Sequence, residues 1–306
     1  MKKLHVVCAI TNPCRYESRT RLHQEFEQRV IAAGAEITTI EAAFGQRAHL
    51  STEAGNPRHI QLRTQHELWH KENLLNLAIS RVDAEYVAWI DADVEFMRPD
   101  WAEETVEQLQ HYDIVQMFSH AIDLGPQRLG FPVVQMHKGF MSQYLEGKPY
   151  PYHDGQCKYE HWHPGFAWAA RRSALDKMEG LLDWTLLGAA DHMMSLGLIG
   201  KMCDALPGGL HPNYKNLANR WQALAEAQIK RNVGFVPGTL KHYWHGKKAD
   251  RQYESRWKIL QDTQYDPLVD ILKDTRGVLR LADNKPELRD RLRRYNRTRY
   301  EDSQEL

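Results

Sequence analysis

Short apolar, β-prone runs alternate with amphipathic segments through the first half of the chain, and that alternation limits the fold more than any other feature. Leu4–Ile10, Glu36–Ile40, Tyr86–Ile90 and Asp113–Phe118 read as strands. Ser18–Ala33, Thr64–Ser80 and Trp101–Gln110 read as helices between them. Strands joined through helices must run parallel, so the chain is predicted to be α/β, with a mostly parallel sheet covered by helices on both faces. In such sheets ligands sit beyond the carboxyl ends of the strands. Asn12, Glu41 and the pair Asp91 and Asp93 fall at those ends.

The pair is the unusual feature. Val87, Ala88, Trp89 and Ile90 suit a buried strand, and two carboxylates one residue apart follow at once. Ionised carboxylates are costly to bury alone. Residues i and i+2 of a strand share a face, so both could point to one place and hold a hard divalent cation such as Mg²⁺ or Mn²⁺. A turn at the strand end would also favour aspartate.

Composition narrows the partners. Lys+Arg and Asp+Glu number 40 each, which gives no overall pull towards nucleic acid or membrane. No apolar run reaches the ~20 residues that span a bilayer. The start, "MKKLHVVCAITNPCRYE", resembles a signal peptide only loosely and reads instead as the first strand. Cys8, Cys14, Cys157 and Cys203 form no CxxC pair, so a zinc site or disulfide framework is not expected, and a cytoplasmic setting is.

Residues 119–165, rich in Gly, Pro, His and Tyr, read as irregular. Helices are expected again at Arg172–Met178, Ala190–Ile199, Lys215–Lys230 and Asp250–Gln261, with a charged helical tail over 286–306. The simplest partition is a catalytic domain, 1–250, and a helical, basic C-terminal extension, 251–306.

The stretch "ELWHKENLLNLAISRVDAEYVAWIDADVEF" resembles the core of nucleotide-sugar-dependent glycosyltransferases of the GT-A fold, whose helix leads into a strand ending in a DxD metal motif. The layout is nearest to the β-1,4-galactosyltransferase-like and family 2-like enzymes. The resemblance runs over about residues 4–250 and is strongest over 66–97 and 163–192. It implies a sugar transferase using a nucleotide-sugar donor, Mn²⁺ or Mg²⁺ and a hydroxyl acceptor. It also implies that Lys71 approaches the nucleotide, and that Gly165 and Trp168 of "HPGFAWAARRSAL" lie against the donor sugar. An acidic residue after a small-residue turn is the general base in inverting members. Where they carry two acids this chain has Ala190 and Asp191, so only Asp191 can inherit the role; a carboxylate suits it because it must accept the acceptor hydroxyl's proton. Asp191 could equally cap the helix it opens.

A histidine can complete the metal site in several such families, which singles out His242 and His245, with His245 the better candidate. On a continuous strand the two would face opposite ways. Lys247, Lys248, Arg251 and Arg256 could neutralise a diphosphate leaving group, or form a solvated basic face. By the same resemblance the loop after the first strand, with Asn12, Arg15, Tyr16 and Arg19, and Glu41 after the second, would meet base and ribose.

Two other readings remain at this point. Between Arg276 and Arg299 nine basic residues face three acids, which makes a hydroxylated base in DNA a conceivable acceptor. A sugar-nucleotide pyrophosphorylase would need a glycine-rich loop after the first strand, and "TNPCRYESRT" has no glycine.

Overall fold

The computed structural model describes residues 2–153, 156–157 and 161–306. Strand β1 (Leu4–Thr11) leads through helix α1 (Glu17–Ala32) to β2 (Glu36–Phe44) and β3 (His59–Thr64). Helix α2 (Lys71–Ile79) feeds β4 (Tyr86–Ile90) and the short β5 (Val94–Phe96). Next come α3 (Trp101–His111), β6 (Ile114–Gln116), β7 (His120–Leu124), β8 (Val133–Gly139) and α4 (Phe140–Leu145). The two-residue strands β9 (Tyr152–His153), β10 (Gln156–Cys157) and β11 (Trp162–His163) precede β12 (Ala167–Arg171), α5 (Arg172–Lys177), α6 (Ala190–Leu198) and α7 (Pro212–Gln228). The remainder holds β13 (Val233–Phe235), β14 (Thr239–His242), α8 (Trp257–Asp262), the hairpin β15 (Ile271–Lys273) and β16 (Leu279–Leu281), and α9 (Pro286–Arg297).

The main sheet has seven strands in the order β13-β6-β12-β4-β1-β2-β3. Its pairs are parallel except those of β12, which runs antiparallel to both β4 and β6. β4 lies near the middle and is buried along its whole length, as its unbroken apolar run demands. Val87 and Trp89 face one core with Leu74, Leu75, Trp168 and Tyr214. Tyr86, Ala88 and Ile90 face the other, with Phe26, Leu109 and Phe118. This is the mostly parallel α/β sheet of GT-A type expected from the sequence.

A second sheet, β11-β8-β7-β14-β5, sits past β4. It comes largely from the segment read as irregular, where β7 and β8 form an antiparallel pair. Parallel pairing of β14 with β7 puts His242 opposite Asp123, and antiparallel pairing with β5 puts it opposite Val94.

Three helix boundaries differ from expectation. The helix predicted from Thr64 starts only at Lys71, because Thr64 ends β3, in register with Phe44 of β2. In place of one helix over 250–261, a 3-10 turn at Lys248–Arg251 ends at Gln252, held in the left-handed region (φ 47°), and α8 follows later. The tail is helical only to Arg297; residues 298–306 form an irregular strap. Val278, Leu279, Leu281, Leu288, Leu292 and Tyr295 belong to the same core as α2, so the C-terminal segment is seated on the sheet. Cys8, Cys14 and Cys203 are free thiols, whereas the Cys157 side chain lies outside the described residues. Among the described residues no helix is long and apolar enough to cross a membrane.

Candidate active site

Asp91 and Asp93 lie just past β4, in the turn before β5. The Asp91 amide donates to the Phe166 carbonyl at 2.8 Å, and Phe166 itself takes φ 78°, a strained value for a bulky residue. Because the chain turns here, the two carboxylates are divided between different partners. The same-face expectation needed a strand that continues, and it does not.

Asp91 belongs to a carboxylate–lysine–carboxylate bridge. Lys71, the first residue of α2, sits 2.6 Å from Asp91 Oδ1 and 3.1 Å from Asp191 Oδ2. Burial opposes its charge, but Asp191 and Asp91 outweigh that and hold its pKa well above the ordinary lysine value. Burial pushes Asp91 up to about 6 despite Lys71. Asp191 lies in the first turn of α6, where Ala189 is the cap residue, so the side chain is not spent on capping. Gly165 borders it: a Cβ there would come within 3.6 Å of Asp191 Oδ2 and 3.4 Å of His163. The position keeps one side of the carboxylate open.

Glu72 is a carboxyl that the sequence reading did not weigh. It shares a small pocket with Asp191, Trp89, Leu181, Leu182, Ala190 and Met194. Burial pushes its pKa up to about 8, with Lys71 opposing and Asp191 reinforcing. An acid whose folded pKa lies above its unfolded value, about 4.3, holds its proton longer when folded, so stability falls as pH rises between the two values. Glu72→Gln is therefore expected to be more stable than the parent above pH 8 and to differ little near pH 4. Melting temperature against pH checks this; parallel curves for the two proteins would refute it.

Asp93 faces histidines. Its Oδ2 is 3.0 Å from His245 Nε2 and 3.8 Å from His242 Nε2, and those two nitrogens are 3.1 Å apart. The expectation of opposed histidines fails because β14 ends at His242 and the chain then folds back, bringing His245 to the same point.

One hydrogen bond assigns a ring proton. Asp123 Oδ1 lies 2.8 Å from His242 Nδ1, and a carboxylate only accepts, so Nδ1 carries the proton and Nε2 offers a lone pair. His245 Nε2 stands between Arg251 at 2.8 Å, which only donates, and Asp93 Oδ2 at 3.0 Å, which only accepts, so a lone pair there serves the arginine and a proton there serves the carboxylate. Burial and Arg251 push the His245 pKa down to about 4, which keeps the ring neutral. Asp93 Oδ1 is buried without a partner. Two imidazole nitrogens and a carboxylate converge within 4.8 Å of one another, and each offers an electron pair to a metal, the nitrogens when unprotonated. That donor set fits a transition-metal ion. Among the described residues Asp91 is not part of this group.

Asp123 is the second residue that the sequence did not reveal. It is buried and also binds His137 Nε2 at 2.7 Å and Lys248 Nζ at 2.5 Å. Its segment had no strand signal, so its place beside His242 could not be read. Lys248 is thereby held beneath the histidines, while Lys247 reaches outward to Glu305 at 3.5 Å. Arg256 is buried, over the Tyr253 ring at 5.0 Å and bonded to Tyr295 Oη.

The residues at the first two strand ends are arranged differently. Thr11, Pro13, Cys14, Tyr16, Arg19, Leu68, Trp69 and Asn296 line a pocket at the carboxyl end of β1. Asn12 holds the turn beside it, accepting from the Tyr16 amide at 2.9 Å and donating to the Tyr16 carbonyl at 2.8 Å. Arg15 is exposed, with φ 59°. Glu41 is buried, and its oxygens accept from Leu50 and Ser51 amides and the Thr52 hydroxyl, so it organises a loop and is not free for a ribose. Trp168, expected against the donor sugar, is 1% exposed; its indole donates to the Pro164 carbonyl at 2.8 Å and its ring is core. The alternation along β12 sends it inward.

Residues 46–178 match the family model described as glycosyl transferase family 2. No curated protein matches the chain in sequence. Among solved structures it is similar to the catalytic domain of Drosophila β1,4-galactosyltransferase 7 in complex with xylobiose (13% identity, TM-score 0.32, 67% of this chain and 62% of that one). It is also similar to S. aureus TarS 1–349 (11%, TM-score 0.37, 63% and 54%). A CMP:2-keto-3-deoxy-manno-octonic acid synthetase complexed with CTP is similar as well (14%, TM-score 0.39, 78% and 90%). The chain spans about six-tenths of the galactosyltransferase structure, 62% of its length. The family match includes β4, the turn with Asp91 and Asp93, and β12. The match to glycosyl transferase family 2 thus covers the centre of the main sheet and its acidic turn.

Proposed function

We propose that the chain is a metal-dependent, inverting glycosyltransferase that moves a sugar from a nucleotide-sugar donor to a hydroxyl acceptor. The observation that carries this is the convergence of Asp93, His242 and His245 near a second group, Lys71 with Asp91 and Asp191. Asp93 and the two histidines would hold the metal, and a bound Mn²⁺ or Mg²⁺ supplies positive charge for the departing diphosphate. Asp191 takes the proton of the acceptor hydroxyl as its oxygen bonds to the sugar's anomeric carbon and the bond from that carbon to the diphosphate breaks. Lys71, shared by Asp91 and Asp191, places that base beside the donor. Arg251 faces the same cluster, and its buried Nε has no partner, which suits a phosphate oxygen.

Arg251 also supports a second reading, in which its guanidinium supplies the positive charge and no metal is needed. One experiment separates the two. Thermal shift is measured with a panel of nucleotide sugars, with Mn²⁺, with Mg²⁺ and with EDTA. A donor at a hundredfold excess over its Kd stabilises the fold by about 2.7 kcal/mol. The metal reading expects this shift with Mn²⁺ and its loss in EDTA. A shift that persists in EDTA supports Arg251 acting alone. No shift with any donor under any condition removes the nucleotide-sugar reading.

A DNA acceptor gains little support. Lys285, Arg289, Arg291, Arg293, Arg297 and Arg299 are all ion-paired within the chain, to Asp270, Asp290, Asp262, Glu67, Glu67 and Glu301. Much of the tail's basic charge is thus offset by acids of its own fold.

A further inference from the structure

The strap after α9 passes close to the candidate metal cluster. Glu301 is 2% exposed and bound by Arg19 at 2.5 and 2.7 Å and by Arg299 at 2.6 Å. Arg19 also donates to the carbonyl of Thr11, the last residue of β1. On the other side, Glu301 Oε2 lies 3.9 Å from His245 Nδ1.

The strap is anchored on both flanks. The first two amides of α1, Glu17 and Ser18, lack a cap from their own N-terminal residue and donate instead to the Asp302 carboxylate at 2.9 and 2.8 Å. Those are the unpaired donors at a helix start that an acid there stabilises. Trp244, beside His245, donates its indole N–H to the Ser303 carbonyl at 2.5 Å. Gly246 has φ 89°, and a Cβ there would stand 2.9 Å from the Tyr300 carbonyl and 3.0 Å from that of Arg299. The strap and the His245 loop are packed backbone to backbone.

We propose that Glu301 is a positioning residue for the metal cluster: the strap fixes the His245 ring so that Nε2 faces Asp93 and His242. For Nε2 to bind a metal the ring proton must sit on Nδ1, and Glu301 presents a carboxylate oxygen 3.9 Å from that nitrogen. Metal-binding histidines are commonly oriented by a carboxylate on the far nitrogen, and Asp123 already stands so behind His242. The second histidine of the cluster has its carboxylate on the same side but at 3.9 Å, longer than the 2.8 Å bond behind His242, and from a residue far away in sequence. This rests on the metal reading given above, and its test separates the two.

Two measurements decide it. The first is Mn²⁺ binding, followed by loss of the free Mn²⁺ paramagnetic resonance signal, in wild type, Glu301→Gln, Glu301→Asp, His245→Ala, Asp93→Asn and the exposed control Glu305→Gln. Glu301→Gln is expected to weaken Mn²⁺ binding about 10–100-fold and to add little in a His245→Ala background. Glu301→Asp keeps a charge between the two arginines but draws it back from the ring, so it weakens binding too, and Glu305→Gln does not. The second is the ¹⁵N-histidine spectrum of the metal-free wild-type protein, which needs no variant to fold and is expected to place the His245 proton on Nδ1. A wild-type His245 protonated on Nε2, or Glu301 variants that bind Mn²⁺ normally while His245→Ala does not, overturns the proposal. If Asp93→Asn and His245→Ala both bind Mn²⁺ normally, the metal reading fails, and the tautomer still decides the orienting role of Glu301.

Discussion

Asp191→Asn is expected to lower turnover by about 10²–10⁴-fold, the usual share of general acid–base catalysis, with nucleotide-sugar affinity little changed. The asparagine keeps the size of the side chain, and its carbonyl oxygen can still accept from Lys71, now 3.1 Å from Asp191. What it lacks is a basic carboxylate. The loss should therefore fall on kcat and leave the donor's KM nearly unchanged. Steady-state kinetics with a hydroxyl acceptor would show this. Near-normal turnover would mean that Asp191 only partners Lys71 and that the base lies elsewhere.

Asp93→Asn should have an effect of similar size by a different route. It leaves the turn after β4 intact but removes the only carboxylate in the group formed with His242 and His245. Mn²⁺ affinity is expected to fall by at least the 10–100-fold that supporting residues alone command, and transfer activity should fall with it. His242→Ala and His245→Ala should weaken Mn²⁺ binding to comparable degrees, because both Nε2 atoms face Asp93. A large gap between the two variants would mean that only one ring is a ligand. Undiminished activity of Asp93→Asn in excess EDTA would exclude the metal reading altogether.

What the sequence revealed followed local periodicity. Tyr86–Ile90 is apolar at every position because both faces of β4 are covered, and that pattern is visible without coordinates. The aspartates after it mark the end of the strand, so their neighbourhood was legible too. Their division between Lys71 and the histidines was not, because it depends on a turn that breaks the strand's two-residue repeat. His242 and His245 could be picked out as a pair, but their meeting depends on where β14 stops. Asp123, Glu72 and Glu301 escaped notice for another reason. Each gains its place from a partner distant in sequence: His242 for Asp123, Asp191 for Glu72, Arg19 for Glu301. Trp168 shows the opposite error, since an aromatic residue on a buried strand is usually core whatever its motif.

The clasp between the strap and α1 also bears on how the protein folds. Ser18 Oγ donates to the Glu301 carbonyl across a separation of 283 residues, and the contacts of Asp302 with α1 span as much. Contacts of that range carry the full entropy of loop closure and form after local ones. The parallel sheet can therefore assemble before the His245 ring acquires its backing carboxylate. Release of residues 298–306 alone would remove the carboxylate beside His245 while leaving both cores buried, a local opening that amide exchange detects. Seating of the strap beside His245 and global folding are then separable events in time, and the first can be lost without the second.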